Sequence, residues 1–280
     1  QHHEDLARSG QVVVEELILN LAKAARRASQ SENLVIAGGV GLNGVANWRI
    51  EAERIFKNLW IQPAAGDDGA ALGAALLVSH QVFGEKRGEM NHAYWGPEFS
   101  EKEIKEYLDM RNCAYRQLSD QEVVAETASL IAAGKVGGWF QGRMEFGPRA
   151  LGSRSILASP REATMKAILN SKIKFREYFR PFAPSIPLEH VAEYFEVKEG
   201  AEFPFMLKVP KVKESKRSVI PAVTHEDGTG RVQTVTEKSN AQYYRLLKEL
   251  GLRTGVPVVL NTSFNVRGEP IVCTPDDAYR

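Results

Sequence analysis

The chain has 280 residues, 43% of them apolar and 25% charged, a balance that excludes a disordered polypeptide and allows one large or two modest cores. Its net charge of +1 excludes a global field that would draw it to nucleic acid or an anionic membrane, so any basic chemistry has to be local. Two distant cysteines, Cys113 and Cys273, form no CxxC pair, no apolar run reaches ~18 residues, and QHHEDLARSG lacks a signal-peptide core, so a reducing cytoplasm is expected.

The first pattern is helical: Val14, Leu17, Ile18, Leu21 and Ala25 recur at three and four within 11–28 and predict one buried face. Asn33 to Ala37 reads as a short strand followed by the glycine-rich GGVGLN, then Leu59 to Gln62 as a second strand, and GDDGAALGAALLVSH as a helix. Strand, turn and helix in succession make an α/β unit. Periodicity is lost from Gly84 to Phe99, where the linker belongs. Ser100 with Glu103, and Ser119 with Glu122, match the capping box and start helices of a second, α+β half. In that half 135–140, 205–209 and 257–260 read as strands, and 164–173 and 242–250 as helices. The chain opens in a helical pattern and stops in PDDAYR, in the first turn of another helix, so both ends read as cuts in a longer protein.

Several segments carry chemistry. In GGVGLNGVAN the glycines Gly38, Gly39 and Gly41 permit positive φ and close approach of amides to an anion, though a tight structural turn explains them as well. Asp67 and Asp68 open a helix, where they serve as caps or as an incomplete metal site, since no HxxH or HxxxH pair accompanies them. Between Arg143 and Arg180 nine Lys or Arg residues face three Glu. Arg149 and Arg154 sit among Gly147, Pro148, Gly152 and Ser153, and Arg180 precedes Pro181. Arginines fixed in turns suit bidentate phosphate or carboxylate recognition. An RNA-backbone patch is the competing reading, because Phe175, Tyr178 and Phe179 interleave with Lys174, Arg176 and Arg180. HEDGTGRVQTV delivers Arg231 from a turn onto a strand, and PVVLNTSFNVRGEPIV places Asn261, Thr262, Ser263 and Asn265 at a strand end. No GxSxG elbow surrounds Ser263 and no histidine adjoins Cys273 in sequence, so a covalent nucleophile has little support.

GGVGLNGVAN, PAAGDDGAALGAAL, GRMEFGPRALGSRSIL, IKFREYFRPFAPS, HEDGTGRVQTV and LNTSFNVRGEPIV, in this order, closely resemble the NodU/CmcH-type O-carbamoyltransferases. The resemblance implies an α/β fold in which part of an ASKHA-type ATPase-like lobe (1–90) is joined by a linker (91–99) to an α+β YrdC-like domain (100–280) shortened at its C-terminus. It implies formation of carbamoyl adenylate from carbamoyl phosphate and ATP, then transfer to a hydroxyl of an antibiotic, sugar or nodulation-factor acceptor. Arg149, Lys174, Arg180 and Arg231 are implied as catalytic, with Arg154, Asn261 and Ser263 lining the same pocket. Gly38, Gly39 and Asn43 are implied to border nucleotide in the first lobe. Asp67 is implied as a ligand of a divalent metal, with Fe2+ expected and Mg2+ accompanying ATP; the family's paired histidine ligands lie outside this sequence. Neither a membrane nor a nucleic-acid partner is expected. The alternative is a YrdC-like RNA- or nucleotide-binding module acting in tRNA modification.

Overall fold

The first helix, α1 (His2–Ser29), buries Glu15, Leu19 and Ala22, whereas Leu17, Leu21 and Ala25 are exposed. The expected apolar face is therefore misplaced. The helix is apolar on more than one side, with Val13 and Leu17 next to Ile18 and Leu19, and spacing alone does not choose between them. The choice is made by its neighbours: Leu19 and Ala22 join Ile50 and Phe56 in a core, and buried Glu15 accepts from Arg49 Nη1 at 3.0 Å. The computed structural model describes residues 2–280. These divide into two compact units, residues 2–89 with Leu207–Val209, and Met90–Met206 with Pro210–Arg280.

In the first unit β1 (Asn33–Ile36) and β2 (Asn58–Ile61) pair in parallel, Asn33 opposite Asn58. Between them lie a short 3-10 turn, Gly39–Leu42, and α2 (Gly44–Ala52), and α3 (Asp68–Gln81) follows β2. Gly38 has φ of 101°, which a side chain rarely adopts, and reverses the chain between β1 and the turn. Asn43 caps α2 by accepting from the Ala46 amide at 3.2 Å. Buried Asn47 donates to Gly41 O at 2.8 Å and Leu207 O at 2.9 Å, which ties Leu207–Val209 into this unit.

The second unit is a mixed five-stranded sheet in the order β3-β4-β7-β5-β6, formed by β3 (Gly137–Phe140), β4 (Arg154–Ala158), β5 (Ala183–Pro187), β6 (Gln233–Val235) and β7 (Val259–Ser263). All neighbours are antiparallel except β5 and β6. Its helices are α4 (Glu101–Met110), α5 (Asp120–Ala132), α6 (Thr164–Lys172), two single turns α7 (Val191–Tyr194) and α8 (Glu214–Arg217), α9 (Ala241–Thr254) and α10 (Pro275–Tyr279). Both expected capping boxes form, at Ser100 and Ser119. Helices α5 and α9 cover one face of the sheet: Val124, Ala128, Ile131, Tyr243, Leu246 and Leu250 close over Trp139, Leu157 and Val259. Burying these side chains is the main drive for this unit, at roughly 1.5–3 kcal/mol for each large one.

The strand expected at 205–209 does not form. Met206 has φ of 55°, so the chain turns there, and the residues beyond it serve the first unit. Residues 91–99 run with the second unit, where the Phe146 amide donates to Ala93 O at 2.6 Å and the Gly96 amide to Met144 O at 2.9 Å. No described helix is long and apolar enough to cross a membrane.

Candidate polyanion site

The segment from Glu145 to Arg154 is folded around a buried carboxylate. Glu145 Oε1 accepts from the amides of Leu151 at 2.6 Å, Ser153 at 2.8 Å and Arg154 at 3.3 Å. Burial holds this carboxyl above the usual range even against those amides, which favour its ionised form. The carbonyls of the same loop are held from the sheet. Asn261 Nδ2 donates to Ala150 O at 3.1 Å, Gln233 Nε2 and Tyr94 Oη each donate to Leu151 O at 2.8 Å, and Trp139 Nε1 donates to Gly152 O at 2.9 Å. Every contact fixes main chain rather than side chain, so the loop is rigid before any ligand arrives. Arg149 projects from it.

Arg231 feels the charge of two other arginines of this unit. The guanidinium of Arg231 is well below its ordinary basicity, first through burial and then through the charges of Arg149 and Arg176. Burial lowers Arg149 and Arg176 as well. Guanidinium stays charged in proteins, so this lowering measures an electrostatic cost that an anion would offset. The buried Nε of Arg149 and that of Arg231 each have no hydrogen-bond partner. Half-buried charges that crowd one another are costly, and an anion placed among them would offset that cost.

Lys174 follows α6 and is 5% exposed. Its Nζ donates to Ser263 O at 2.5 Å and Asn265 Oδ1 at 2.7 Å, with Asn265 O at 3.0 Å and Ser263 Oγ at 3.2 Å. Burial, with Arg176 adding to it, brings this ammonium down to about 8. The loop beyond it is held by Asn170, which donates to Tyr178 O at 3.2 Å and Arg180 O at 3.0 Å while accepting from Arg176 Nε at 2.8 Å.

The remaining expected residues divide sharply. Arg154 is fully buried and opens β4 rather than standing in a turn. Its guanidinium donates to the carbonyls of Gln141, Gly142, Ser153 and Pro97 at 3.0 to 3.2 Å and lies 3.6 Å over the Phe140 ring. It braces the loop from beneath. Asn261 and Ser263 lie within the last three residues of β7, at the strand end expected for them, and Asn261 Nδ2 is spent on Ala150, Ser185 and Gln233. Arg180 is exposed and pairs with Glu177 at 3.0 Å. Glu145 and His225 were not assigned a role from sequence, because a lone acid and a lone histidine within a motif give no periodic signal, and Arg176 was read only as part of an RNA-backbone patch; His225 lies six residues before Arg231 in the same HEDGTGR segment.

In the first unit, the Gly38 amide is taken by Ala65 O at 2.7 Å and the Gly41 amide by Gly38 O at 2.8 Å. Only Gly38 of the three glycines has positive φ; Gly41 is small because a side chain would meet Ile36 and Ala65 at 3.1 and 3.3 Å. Asn43 exchanges hydrogen bonds with Gln11 at 3.0 and 3.2 Å. Asp67 stands at the N-terminus of α3 without a capping bond. Among the described residues no three His, Cys, Asp or Glu side chains gather to hold a metal, so this donor set alone does not fit a divalent ion.

The carbamoyltransferase C-terminus model matches residues 128–280 and the carbamoyltransferase N-terminus model residues 1–76. The chain is 47% identical to an uncharacterised protein of Synechocystis, over all of this chain and 50% of that one. It is 42% identical to nodulation protein NolNO of Sinorhizobium fredii, over 99% of this chain and 41% of that one. Against the 3'-hydroxymethylcephem-O-carbamoyltransferase of Streptomyces clavuligerus the identity is 35%, over 99% of this chain and 51% of the relative. The chain thus spans about half the length of the curated relatives it matches. With the larger family model covering residues 128–280 and the smaller one the first 76, the chain belongs to the carbamoyltransferase family.

Proposed function

We propose that the second unit, read as YrdC-like, makes carbamoyl adenylate, and that the first, read as part of an ASKHA-like lobe, serves transfer of the carbamoyl group to a small-molecule hydroxyl. The observation that carries this reading is Arg231, which feels the charges of Arg149 and Arg176 while its own Nε has no partner, with Arg149 standing on a loop fixed through its backbone. Water takes carbamoyl phosphate to carbamate and inorganic phosphate. A carbamate oxygen then attacks the α-phosphorus of ATP, and pyrophosphate leaves. Two polyanions must meet for this, and fixed guanidinium groups offset their repulsion and the charge that builds at phosphorus. Lys174 orders the Ser263–Asn265 segment beside that charge. In the transfer step the acceptor hydroxyl attacks the carbamoyl carbon and AMP leaves. The nodulation and cephem relatives support an acceptor of the antibiotic, sugar or nodulation-factor class.

The test is ATP–pyrophosphate exchange in the full-length protein. It should require carbamoyl phosphate and fall by about 10²- to 10³-fold in Arg149→Ala. No exchange, or an Arg149→Ala variant as active as the parent, would overturn the reading.

One observation favours a second reading. Phe175, Tyr178 and Phe179 are 54%, 79% and 54% exposed beside Arg180, an arrangement that suits stacking on single-stranded RNA in a tRNA-modifying module. Salt-dependent RNA binding that survives saturating ATP would support that reading instead.

A further inference from the structure

The turn from His225 to Thr229 is closed by its own backbone: the His225 amide donates to Thr229 O at 2.8 Å and the Gly228 amide to His225 O at 2.9 Å. Within it runs a side-chain relay. The Thr229 hydroxyl lies 2.7 Å from Asp227 Oδ1 and 3.1 Å from His225 Nδ1, and Asp227 Oδ1 also takes the Thr229 amide at 3.1 Å. A hydroxyl has one proton to give, and an ionised carboxylate can only accept. The Thr229 proton therefore goes to Asp227, and its oxygen accepts from Nδ1–H of the imidazole. The neutral ring is left with its bare lone pair on Nε2. That atom is shut off from solvent and has no hydrogen-bond partner. Burial brings the imidazole down to about 4, Asp227 opposes this, and Arg231 and Lys166 push further the same way, so the ring is neutral near pH 7.

A buried acceptor asks for a donor. Phosphate oxygens, the natural partners of Arg149 and Arg231, are acceptors themselves and cannot satisfy Nε2. The group that can is an N–H or O–H carried on the anion. Carbamoyl phosphate and carbamate differ from the corresponding acetyl compounds in one feature, an NH2 in place of a methyl group, and that NH2 is a donor.

We propose that His225 Nε2 accepts a hydrogen bond from the carbamoyl NH2, with Thr229 and Asp227 fixing the tautomer, so that His225 determines specificity for carbamoyl over acetyl substrates. The inference rests on the adenylation reading above and names the residue that recognises its one-carbon substrate. A site built to bond an N–H rejects an analogue lacking it by far more than a site that merely encloses a methyl, because its own acceptor is left unmet.

The experiment compares the full-length protein with His225→Leu and Thr229→Val in ATP–pyrophosphate exchange supported by carbamoyl phosphate or by acetyl phosphate. The parent should prefer carbamoyl phosphate by on the order of 10²-fold or more. His225→Leu should lose most of that ratio, with kcat/KM for carbamoyl phosphate falling at least about tenfold and KM for ATP unmoved. Thr229→Val should shift the ratio in the same direction. An unchanged ratio in His225→Leu overturns the inference, as does a loss confined to ATP that disappears with 2′-deoxyATP, which would assign Nε2 to the ribose. Absence of exchange in the parent with carbamoyl phosphate would remove the adenylation reading itself, a result distinct from an unchanged ratio. Should His225→Leu fail to fold, ring 15N shifts of the parent decide: the Nε2 signal should be that of a bare nitrogen and move with carbamoyl phosphate but not with acetyl phosphate, and an immobile signal overturns the proposal.

Discussion

Lys174 Nζ donates to the main-chain oxygen of Ser263 at 2.5 Å, which joins the loop after α6 to the last residue of β7. The same ammonium is brought down to about 8 by burial and by Arg176. An anion placed beside it favours the charged form and raises that value. Binding of ATP should therefore take up protons when measured at or just above pH 8. Calorimetric titration in buffers of different ionisation enthalpy would report this uptake. Proton release, or none, would contradict it.

Arg154 donates to four main-chain carbonyls from a fully buried position. Arg154→Leu would leave these acceptors unmet where water cannot reach them, at about 1–3 kcal/mol for each buried group. The variant should lose about 3 kcal/mol or more in urea unfolding. A loss under about 1 kcal/mol would place this side chain among dispensable ones and free it for ligand contact.

The difference between Arg149 and Arg154 marks how far the sequence could be read. Both stand among Gly, Pro and Ser, and local chemistry assigns both to turns. Residues RSILA of 154–158 and APSIP of 183–187 are short, fully buried strands without alternation, and the second carries two prolines, so neither shows the period of two by which a half-buried strand is recognised. Nor can spacing show that Asn261 Nδ2 is taken by Ala150, Ser185 and Gln233, contacts that span up to 111 positions. The capping boxes at Ser100 and Ser119 were legible because their partners are three residues away. The concentration of arginines was legible as composition. Their division into a half-buried group, a brace and an exposed ion pair depends on tertiary packing.

Gly152 has φ of 100°, and a methyl group there would meet the Tyr243 ring at 2.2 Å. Tyr243 belongs to α9, is buried in the core and cannot yield without disturbing it. Gly152→Ala should cost about 2–4 kcal/mol, the sum of backbone strain and overpacking, read as a lower urea midpoint. A near-neutral variant would mean that the loop and Tyr243 move freely.

Glu145 offers a test with a pH signature. A carboxyl held above its ordinary value binds its proton more tightly folded than unfolded, so this group makes stability fall as pH rises from 4.5 through the folded value. Glu145→Gln keeps an oxygen for the three amides and should flatten that slope while retaining the fold. Glu145→Ala should lose about 2–4 kcal/mol, since the amides of Leu151 and Ser153 lose their acceptor. Unfolding midpoints across a pH series for the three proteins check both statements, and parallel slopes in parent and Gln variant would contradict the first.

The most direct measurement of the central claim is titration of ATP into the parent chain and into Arg231→Gln. Removing one of the converging charges should weaken binding by on the order of 10²-fold, and should raise thermal stability in the absence of ATP because mutual repulsion is relieved. Equal affinities, or a variant less stable than the parent without ligand, would contradict a preformed polyanion site.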